Sequence, residues 1–331
     1  MPASPTLIEQ FHQGDIRALA RLLTLVENKH PEAERILETL FPHAGGTFRI
    51  GLTGAPGAGK STLVSQIVQR YAAKKSVAVL AIDPTSPFTG GALLGDRIRF
   101  KGTTEKVAPV FFRSAASRGH TGGLARTTEE MSVVLKAFGF ERLLIESVGV
   151  GQVGLDIAGA CDTTIVVVVP ESGDDIQAMK AGLLEIADIL VVNKSDRPGA
   201  NTLREQLVEA IHFRSDKVRG GKPPEIMLTE ATSGTGIDEL LEAVERRYQD
   251  QVTEEQDGPQ RRLRLRRALL NLVREEIRDA TGRAFTEGFL PDGGSVESAL
   301  DQIINGTDNP FKIARKSVRN AVPQKVGPGN K

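Results

Sequence analysis

The sequence has little of several features that mark particular classes of protein. It has one cysteine, Cys161, among 331 residues, and its 42 basic side chains are matched by 42 acidic ones. A single cysteine excludes a disulfide within the chain and a cysteine-rich metal site, so we expect Cys161 to be a buried packing residue. The formal net charge of zero gives no overall reason to expect nucleic acid or an anionic membrane as a partner.

Long apolar runs are also missing. The longest of them, Ile165–Val169, is far too short to cross a bilayer. Residues 1–5 do not have the basic region and apolar core that begin a signal peptide. We therefore expect a cytoplasmic protein whose partners include neither a membrane nor a nucleic acid.

One segment has the spacing of a phosphate-binding loop, Gly-x-x-x-x-Gly-Lys-Ser/Thr. It consists of Gly54, Ala55, Pro56, Gly57, Ala58, Gly59, Lys60, Ser61 and Thr62. Its glycines let successive backbone N–H groups point at phosphate oxygens, while Lys60 can reach the β- and γ-phosphates and Ser61 can ligate Mg²⁺. A strand pattern at Phe48–Thr53 precedes the loop and a helix pattern at Leu63–Tyr71 follows it. This context indicates a nucleoside-triphosphate site.

Apolar strands alternate with helical segments after residue 48. The predicted strands are Phe48–Thr53, Val77–Ile82, Pro109–Arg113, Arg142–Ile145, Thr164–Val169, Ile189–Val192 and Glu225–Leu228. The predicted helices between them are Leu63–Tyr71, Thr127–Phe138, Ile176–Ala187, Thr202–His212 and Gly236–Tyr248. Such an alternation indicates a parallel sheet covered on both faces. We predict an α/β fold of the P-loop NTPase type, with a mostly parallel sheet flanked by helices, over residues 46–250.

Helical segments are predicted on both sides of this domain. Residues 1–45 form a helical N-terminal arm, for which bundle packing is favoured over a catalytic role. The polar stretch Gln249–Gln260 has the composition of a linker. Residues 251–331 form a C-terminal helical segment that includes the basic amphipathic helix Arg261–Arg278, the helix Val296–Ile304 and a disordered tail.

Asn193-Lys194-Ser195-Asp196 is the second strong motif, and it directly follows the strand Ile189–Val192. Guanine presents an N1–H and an exocyclic amine on one edge, and the carboxylate of Asp196 can accept both hydrogen bonds. Adenine lacks this pair of donors, so a site built in this way rejects ATP. Asn193 can bond the ring or tie loops together, and Lys194 can lay its alkyl stem along the base.

A later turn offers a third contact to the base. GTPases usually have a Ser-Ala pair here, and the backbone N–H of the alanine meets guanine O6. In this chain the alanine is Ala231, and Glu230 stands in the place of the serine. We therefore include Ala231 among the candidate guanine-binding residues.

Three acidic residues are candidates for holding Mg²⁺ together with Ser61. Asp83 ends the second strand, at the edge where open α/β sheets bind ligands. Asp96 follows residues 83–91, a Gly/Pro/Thr-rich stretch that can close over a γ-phosphate. Glu146 lies three residues before Gly149, whose N–H can sense the γ-phosphate. Capping or plain solvation is the alternative role for each of these carboxylates.

The position after Gly149 is Val150, where many GTPases have a water-positioning glutamine. The nearest glutamine is Gln152, so we expect slow intrinsic hydrolysis that a partner or a rearrangement completes. Gln177 and Lys180 belong to a loop-to-helix turn after the fifth strand. Lys180 can reach the phosphates or contact a partner protein. The alternative is that these residues form only the start of an ordinary helix. The candidate catalytic residues are Lys60, Glu146, Gln177 and Lys180.

Together these motifs resemble one family in particular. Residues 54–62, 83–97, 146–152 and 193–196 are similar to the methylmalonyl-CoA mutase-associated GTPases of the MeaB/ArgK type, whose human relative is the MMAA protein. The similarity extends over nearly the whole chain, and the long segment 83–97 makes it specific. The family usually has Glu-Thr-Val-Gly where this chain has Glu146-Ser147-Val148-Gly149.

This resemblance implies a homodimeric GTPase that uses GTP/GDP and Mg²⁺, with the C-terminal helical segment helping to form the dimer. It implies an adenosylcobalamin-dependent acyl-CoA mutase as partner. The GTPase would gate delivery of the cofactor and protect the mutase from inactivation. The segment with Gln177 and Lys180 would relay the nucleotide state to the mutase.

Two other classes of protein remain as alternatives. A P-loop kinase would need a second pocket with a catalytic base beside the γ-phosphate, and we find no candidate for it in the sequence. A metallochaperone GTPase would need a Cys/His relay, which one cysteine argues against.

Overall fold

The computed structural model describes residues 5–83, 110–116, 123–147, 159–170, 184–212 and 223–256, and parts of 269–321. The chain divides into two compact units, Met1–Arg261 and Arg262–Lys331. The first unit contains the sheet, the N-terminal helices and the phosphate-binding loop, whereas the described part of the second unit is mainly helical.

The sheet of the first unit has seven parallel strands in the order β3-β2-β4-β1-β5-β6-β7. The strands are β1 (Phe48–Gly54), β2 (Val77–Asp83), β3 (Val110–Ala116), β4 (Arg142–Ser147), β5 (Thr163–Val168), β6 (Ile189–Asn193) and β7 (Glu225–Thr229). All seven correspond to strands predicted from the sequence, and the predicted fold class is confirmed. Parallel strands bring their carboxyl ends to one edge, so the motifs that follow them lie together.

The helices of the first unit are α1 (Pro5–His12), α2 (Ile16–Glu27), α3 (Ala33–Leu40), α4 (Lys60–Ala72), α5 (Gly123–Phe138), α6 (Ala200–His212) and α7 (Ile237–Gln256). Short helical turns lie at Phe41–His43 and Leu184–Ile186. In the second unit, α8 spans Val296–Ile304 and α9 spans Pro310–Ala321. The predicted helices Ile176–Ala187 and Arg261–Arg278 and the predicted tail lie largely outside the described residues.

Helices cover both faces of the sheet because its strands are apolar on both sides. On β5, Ile165 and Val167 belong to the core that α4 and α7 cover. Their neighbours Val166 and Val168 belong to the core that α6 covers on the opposite face. Cys161, just before β5, is buried as expected.

The N-terminal arm packs on the sheet face that also carries α5. Leu19, Leu22 and Leu23 of α2 are fully buried and share a core with Leu80 of β2 and Met131 of α5. This face of the sheet would otherwise expose apolar side chains to water, so the arm completes the core.

A polar bond also holds the arm to the sheet. Arg113 of β3 donates to Glu27 Oε2 at 2.6 Å and to Thr24 Oγ1 at 3.2 Å, both on α2. The arm is therefore fixed to an outer strand as well as to the hydrophobic core.

One predicted boundary was wrong. The sequence indicated a linker from Gln249, but α7 continues to Gln256. Glutamine and glutamate are good helix formers, and a polar helical turn beyond the edge of the core has no apolar stripe by which to recognise it.

In the described residues, no helix has the length and apolar composition that crossing a membrane requires.

A charged cluster joins α4, β4 and α7 at the end of the sheet opposite the phosphate-binding loop. Arg142 is only 3% exposed and bonds both oxygens of Glu245, at 3.0 and 2.7 Å. Tyr71 and Lys75 donate to the same carboxylate at 2.8 and 2.6 Å. The Arg142 guanidinium also stacks on Tyr248, 4.2 Å from its ring centroid. Glu245 is therefore the common acceptor of three side chains from other parts of the fold.

The Glu245→Gln variant is expected to lose about 3 kcal/mol of stability, because it leaves the buried charge of Arg142 without its counter-ion. Burial alone would raise the pKa of Glu245, but the hydrogen bonds from Arg142, Lys75 and Tyr71 outweigh it and lower the pKa to about 2. The carboxylate therefore stabilises the fold above its unfolded pKa, and this contribution is lost as the pH falls from about 4.5 towards 2.

Denaturant unfolding at pH 7 and pH 3 measures both effects. Arg246→Ala is the matched control, because its ion pair with Glu225 is largely exposed and is expected to contribute less than about 1 kcal/mol. Equal stability losses in the two variants at pH 7 would contradict the prediction.

Candidate functional site

The phosphate-binding loop connects the end of β1 to the start of α4. Gly54, Gly57 and Gly59 have φ angles of 150°, 77° and 89°, which favour glycine. A Cβ atom on Gly54 would collide with the carbonyl oxygen of Val167, and one on Gly59 would collide with Asn193 Nδ2. The glycines are thus required both by the turn and by the close approach of β5 and of the last residue of β6.

Lys60 is the first residue of α4, and it folds back over the loop. Its Nζ donates to the carbonyl oxygens of Gly54 and Ala55 at 2.8 and 2.9 Å, and the residue is 7% exposed. The ammonium group is thus held above the loop whose backbone N–H groups, with the N-terminus of α4, form an anion site. The described geometry matches the position from which a lysine reaches phosphate oxygens.

Ser61 and Glu146 meet beside the loop. Glu146 lies near the end of β4, which pairs with β1, and is buried. Ser61 Oγ donates to Glu146 Oε1 at 2.7 Å. A hydroxyl and a carboxylate in contact next to a phosphate site are oxygen ligands of the kind that Mg²⁺ prefers. These two residues therefore fit a magnesium ion.

Asn193 joins the phosphate-binding loop to the motifs at the ends of β6 and β7. Its Nδ2 donates to the Ala58 carbonyl oxygen at 2.8 Å. Its Oδ1 accepts from Thr229 Oγ1 at 3.0 Å and from the Ala231 N–H at 3.1 Å. The sequence left two roles open for Asn193, bonding the base or connecting loops, and these three hydrogen bonds connect loops. The Ala231 N–H is shared with Asn193, so a bond to guanine O6 has to share or displace that contact.

Lys194 and Asp196 lie on the turn that follows β6. Lys194 has a φ angle of 58°, and Arg197 N–H donates to its carbonyl oxygen at 3.0 Å. Ser195 N–H donates to the Thr229 carbonyl oxygen at 3.0 Å, which fixes the turn to the end of β7. The Asp196 side chain is exposed, as a carboxylate that reads the edge of a bound base has to be.

Other candidates are outside the part of the chain that the structure describes. These are Asp96, Gly149, Gln177 and Lys180, with Val150 and Gln152. Asp83 is described only as the last backbone position of β2, at the same edge of the sheet as Gly54. The roles assigned to these residues stay predictions.

Two polar pairs near the site were missed by sequence reasoning. Ser147 Oγ donates to Thr53 Oγ1 at 3.0 Å, between the ends of β4 and β1. Thr229 Oγ1 donates to Asn193, as described above. The first pair follows from the parallel register of β1 and β4, but that register is not readable from the sequence.

The fold and the site together define a class of protein. A parallel sheet with a phosphate-binding loop between β1 and α4, and Asn-Lys-x-Asp at the end of β6, is the arrangement of a P-loop GTPase. Residues 19–285 match the family model described as "Methylmalonyl Co-A mutase-associated GTPase MeaB". The chain belongs to this family.

Relatives and a solved structure agree with this assignment. A Pyrococcus abyssi protein provisionally named a GTPase is 46% identical over 299 residues, which cover 89% of this chain and 86% of that protein. The Escherichia coli protein "GTPase ArgK" is 36% identical over 247 residues, which cover 72% of this chain and 73% of that protein. The Caenorhabditis elegans protein "Methylmalonic aciduria type A homolog, mitochondrial" is 29% identical, covering 83% and 73%. The crystal structure of a protein named "LAO/AO transport system kinase" superposes with a TM-score of 0.70 at 25% identity, covering 96% and 98%.

Proposed function

We propose that this chain is a GTP-hydrolysing regulatory chaperone of an adenosylcobalamin-dependent acyl-CoA mutase, either methylmalonyl-CoA mutase or a close relative. It gates delivery of the cofactor to the mutase and protects the mutase from inactivation. The observation that carries the proposal is the match of residues 19–285 to a GTPase family whose description includes association with this mutase.

The proposed nucleotide is GTP, held through its phosphates and Mg²⁺. Lys60 contacts the β- and γ-phosphates, and residues 54–62 supply the N–H groups around them. Ser61 and Glu146, with Asp83 and Asp96, hold the Mg²⁺ ion directly or through water. When bound, the ion would supply positive charge beside the phosphoryl oxygens. Gly149 is proposed to sense the γ-phosphate through its N–H.

Guanine is proposed to bind where the ends of β6 and β7 meet. Asp196 accepts from the N1–H and the exocyclic amine, Lys194 lies along the ring, and the Ala231 N–H meets O6. Asn193 supports this pocket, since its side chain bonds the phosphate-binding loop and the Ala231 N–H at once. The base site and the phosphate site are therefore linked through one buried amide.

The mutase partner is proposed to act on hydrolysis through Gln177 and Lys180. We expect Lys180→Ala to bind GTP with unchanged affinity but to lose most of the stimulation of turnover that the mutase gives. A coupling of about 1–3 kcal/mol between the nucleotide and partner sites corresponds to a difference of roughly 5- to 150-fold in mutase affinity between the two nucleotide states. Phosphate release with and without purified methylmalonyl-CoA mutase measures the stimulation of turnover.

Lys74→Ala is the control for this experiment, because Lys74 is an exposed lysine just beyond α4. Full stimulation of the Lys180→Ala variant would remove Lys180 from its role. If the mutase neither binds nor stimulates the wild-type protein, the mutase itself is the wrong partner.

A kinase that transfers the γ-phosphate to a small molecule or a protein is the second candidate, and it is favoured by the likeness to a protein whose own name includes the word kinase. The two functions are separated by following the γ-phosphate. Release of free phosphate in the absence of any added acceptor supports the GTPase. Transfer of a labelled γ-phosphate to an acceptor, with little free phosphate, supports the kinase.

The homodimer is proposed to form through the C-terminal unit. Leu269, Val273 and Ile277 are spaced four residues apart and are 62%, 46% and 52% exposed. Residues with this spacing form a stripe along one side of a helix, and a second copy of the chain would cover it. Light scattering on the full-length protein gives its mass in solution.

A further inference from the structure

We propose that Arg70, at the far end of α4, is a positioning residue for the loop that presents Ala231 to guanine. The inference rests on the proposed guanine site. It adds a residue that touches no part of the nucleotide but determines how well the base is read. We refer to residues 230–236, between β7 and α7, as the 230–236 loop.

The 230–236 loop is a compact turn closed by its own backbone. Glu230 N–H donates to the Thr235 carbonyl oxygen at 3.0 Å, and Gly234 N–H donates to the Glu230 carbonyl oxygen at 2.9 Å. A Cβ atom on Gly236 would collide with the carbonyl oxygen of Leu228, so the chain passes close to β7 as it leaves the turn. Because of these bonds, the loop is expected to move largely as one piece.

Two side chains from other parts of the fold hold this turn. On its inner side, Asn193 accepts from the Ala231 N–H at 3.1 Å. On its outer side, Arg70 Nη2 donates to the Gly234 carbonyl oxygen at 3.2 Å. The two contacts lie three residues apart, and the Ala231 side chain is also buried in the core that α4 and α7 cover.

The Arg70 guanidinium is itself held in place. Its Nε donates to Asp238 Oδ1 at 2.6 Å, and its Nη1 donates to Gln66 Oε1 at 2.7 Å. A Cβ atom on Gly234 would lie 3.0 Å from Arg70 Nη2, so glycine allows this close approach. The planar fork of arginine serves three acceptors in different directions, which a lysine cannot reproduce.

The position of Arg70 on α4 connects the 230–236 loop to the phosphate site. The helix begins at Lys60, beside the phosphates, and Arg70 lies about 15 Å further along its axis. One rigid helix therefore sets both the phosphate anchor and the outer support of the 230–236 loop. The ion pair with Asp238 contributes little stability by itself, since the Asp238 side chain is 76% exposed. Its effect is to orient the guanidinium towards Gly234.

The test compares two nucleotides that differ at the atom the loop contacts. GDP has O6, whereas 2-aminopurine riboside diphosphate lacks both O6 and the N1–H and keeps the exocyclic amine, the sugar and both phosphates. The lost N1–H bond to Asp196 weakens the analogue equally in the wild type and in the variant, so it cancels when their affinity ratios are compared. We expect Arg70→Ala to weaken GDP binding about tenfold, because the 230–236 loop loses its outer support and holds the Ala231 N–H less firmly within reach of O6. The analogue should bind with nearly unchanged affinity, so the affinity ratio of the two nucleotides narrows about tenfold. Calorimetric titration of both nucleotides measures the ratio.

Arg246→Ala is the matched control. Arg246 also forms a 2.7 Å ion pair on the surface, but with Glu225 at the opposite end of β7. It should leave the ratio at the wild-type value. Arg70→Lys keeps a charge for Asp238 and carries the test if the alanine variant does not fold; it too should narrow the ratio.

A purely structural role for Arg70 would weaken both nucleotides equally or only lower the melting temperature, and either result overturns the inference. An unchanged ratio in the alanine and lysine variants overturns it as well. A wild-type protein that does not prefer GDP over ADP overturns the guanine site itself and the inference with it.

Discussion

Replacing Lys60 with alanine is expected to lower kcat/KM for GTP by about 100- to 1,000-fold. The Lys60 ammonium is fixed by the carbonyl oxygens of Gly54 and Ala55, at 2.8 and 2.9 Å, on a residue that is only 7% exposed. A charge held in this way needs little reorganisation when phosphate binds. Its loss would remove the lysine's charge from the proposed phosphate site and leave the N–H groups of the loop and the proposed Mg²⁺ ion as the remaining support.

Fluorescent-GDP displacement and phosphate release measure this prediction. The control is Lys74→Ala, which removes an exposed lysine just after the other end of α4. Circular dichroism and thermal melting show whether the Lys60→Ala variant is folded, since that variant also loses two bonds to the loop. A folded Lys60→Ala protein with wild-type turnover would refute the assignment of residues 54–62 as the phosphate site.

Local patterns were sufficient to predict the elements that build this site. The apolar run at Ile189–Val192 predicts β6, and the motif that begins at Asn193 follows it in the structure. Phe48–Thr53 and the glycines of residues 54–59 likewise predict a strand followed by a tight turn. Both are short-range signals, because a run or alternation of apolar residues and the φ preference of glycine are properties of neighbouring residues.

Long-range relations could not be predicted in the same way. The order of the strands, with β4 between β2 and β1, depends on how the whole chain packs. Arg70 contacts Asp238, which is 168 residues away, and Arg142 contacts Glu245, which is 103 residues away. No local pattern marks either pair, although each arginine bonds more than one group in the fold.

Asn193 belongs to a local sequence motif, but its hydrogen bonds are long-range. Its motif assigns it to the base site, yet its side chain makes three hydrogen bonds, to Ala58, Thr229 and Ala231. The carbonyl oxygen of the amide has both lone pairs in use, and one N–H remains for a ligand. We therefore expect reading of the base to depend mainly on Asp196, whose side chain is exposed on the adjacent turn.

Because Asn193 connects loops and Asp196 is free to meet the base, substitution of Asp196 is expected to have the second large effect, on base preference. Asp196→Ala is expected to reduce the preference for GTP over ATP by about a hundredfold, since two hydrogen bonds to a charged acceptor are lost together. Asp196→Asn should lose GTP affinity to a similar extent. It should gain affinity for XTP, because xanthine has a carbonyl at C2 where guanine has an amine, and the asparagine amide can donate to that oxygen.

Competition of GTP, ATP and XTP against a fluorescent guanine nucleotide separates these outcomes. Glu205→Ala is the control, since Glu205 is an exposed carboxylate on α6, the helix that follows the Asp196 turn. A change in base preference with intact phosphate binding assigns the effect to Asp196, because Lys60 and residues 54–62 do not distinguish bases. Unchanged selectivity in both Asp196 variants would mean that the base is read by another part of the chain.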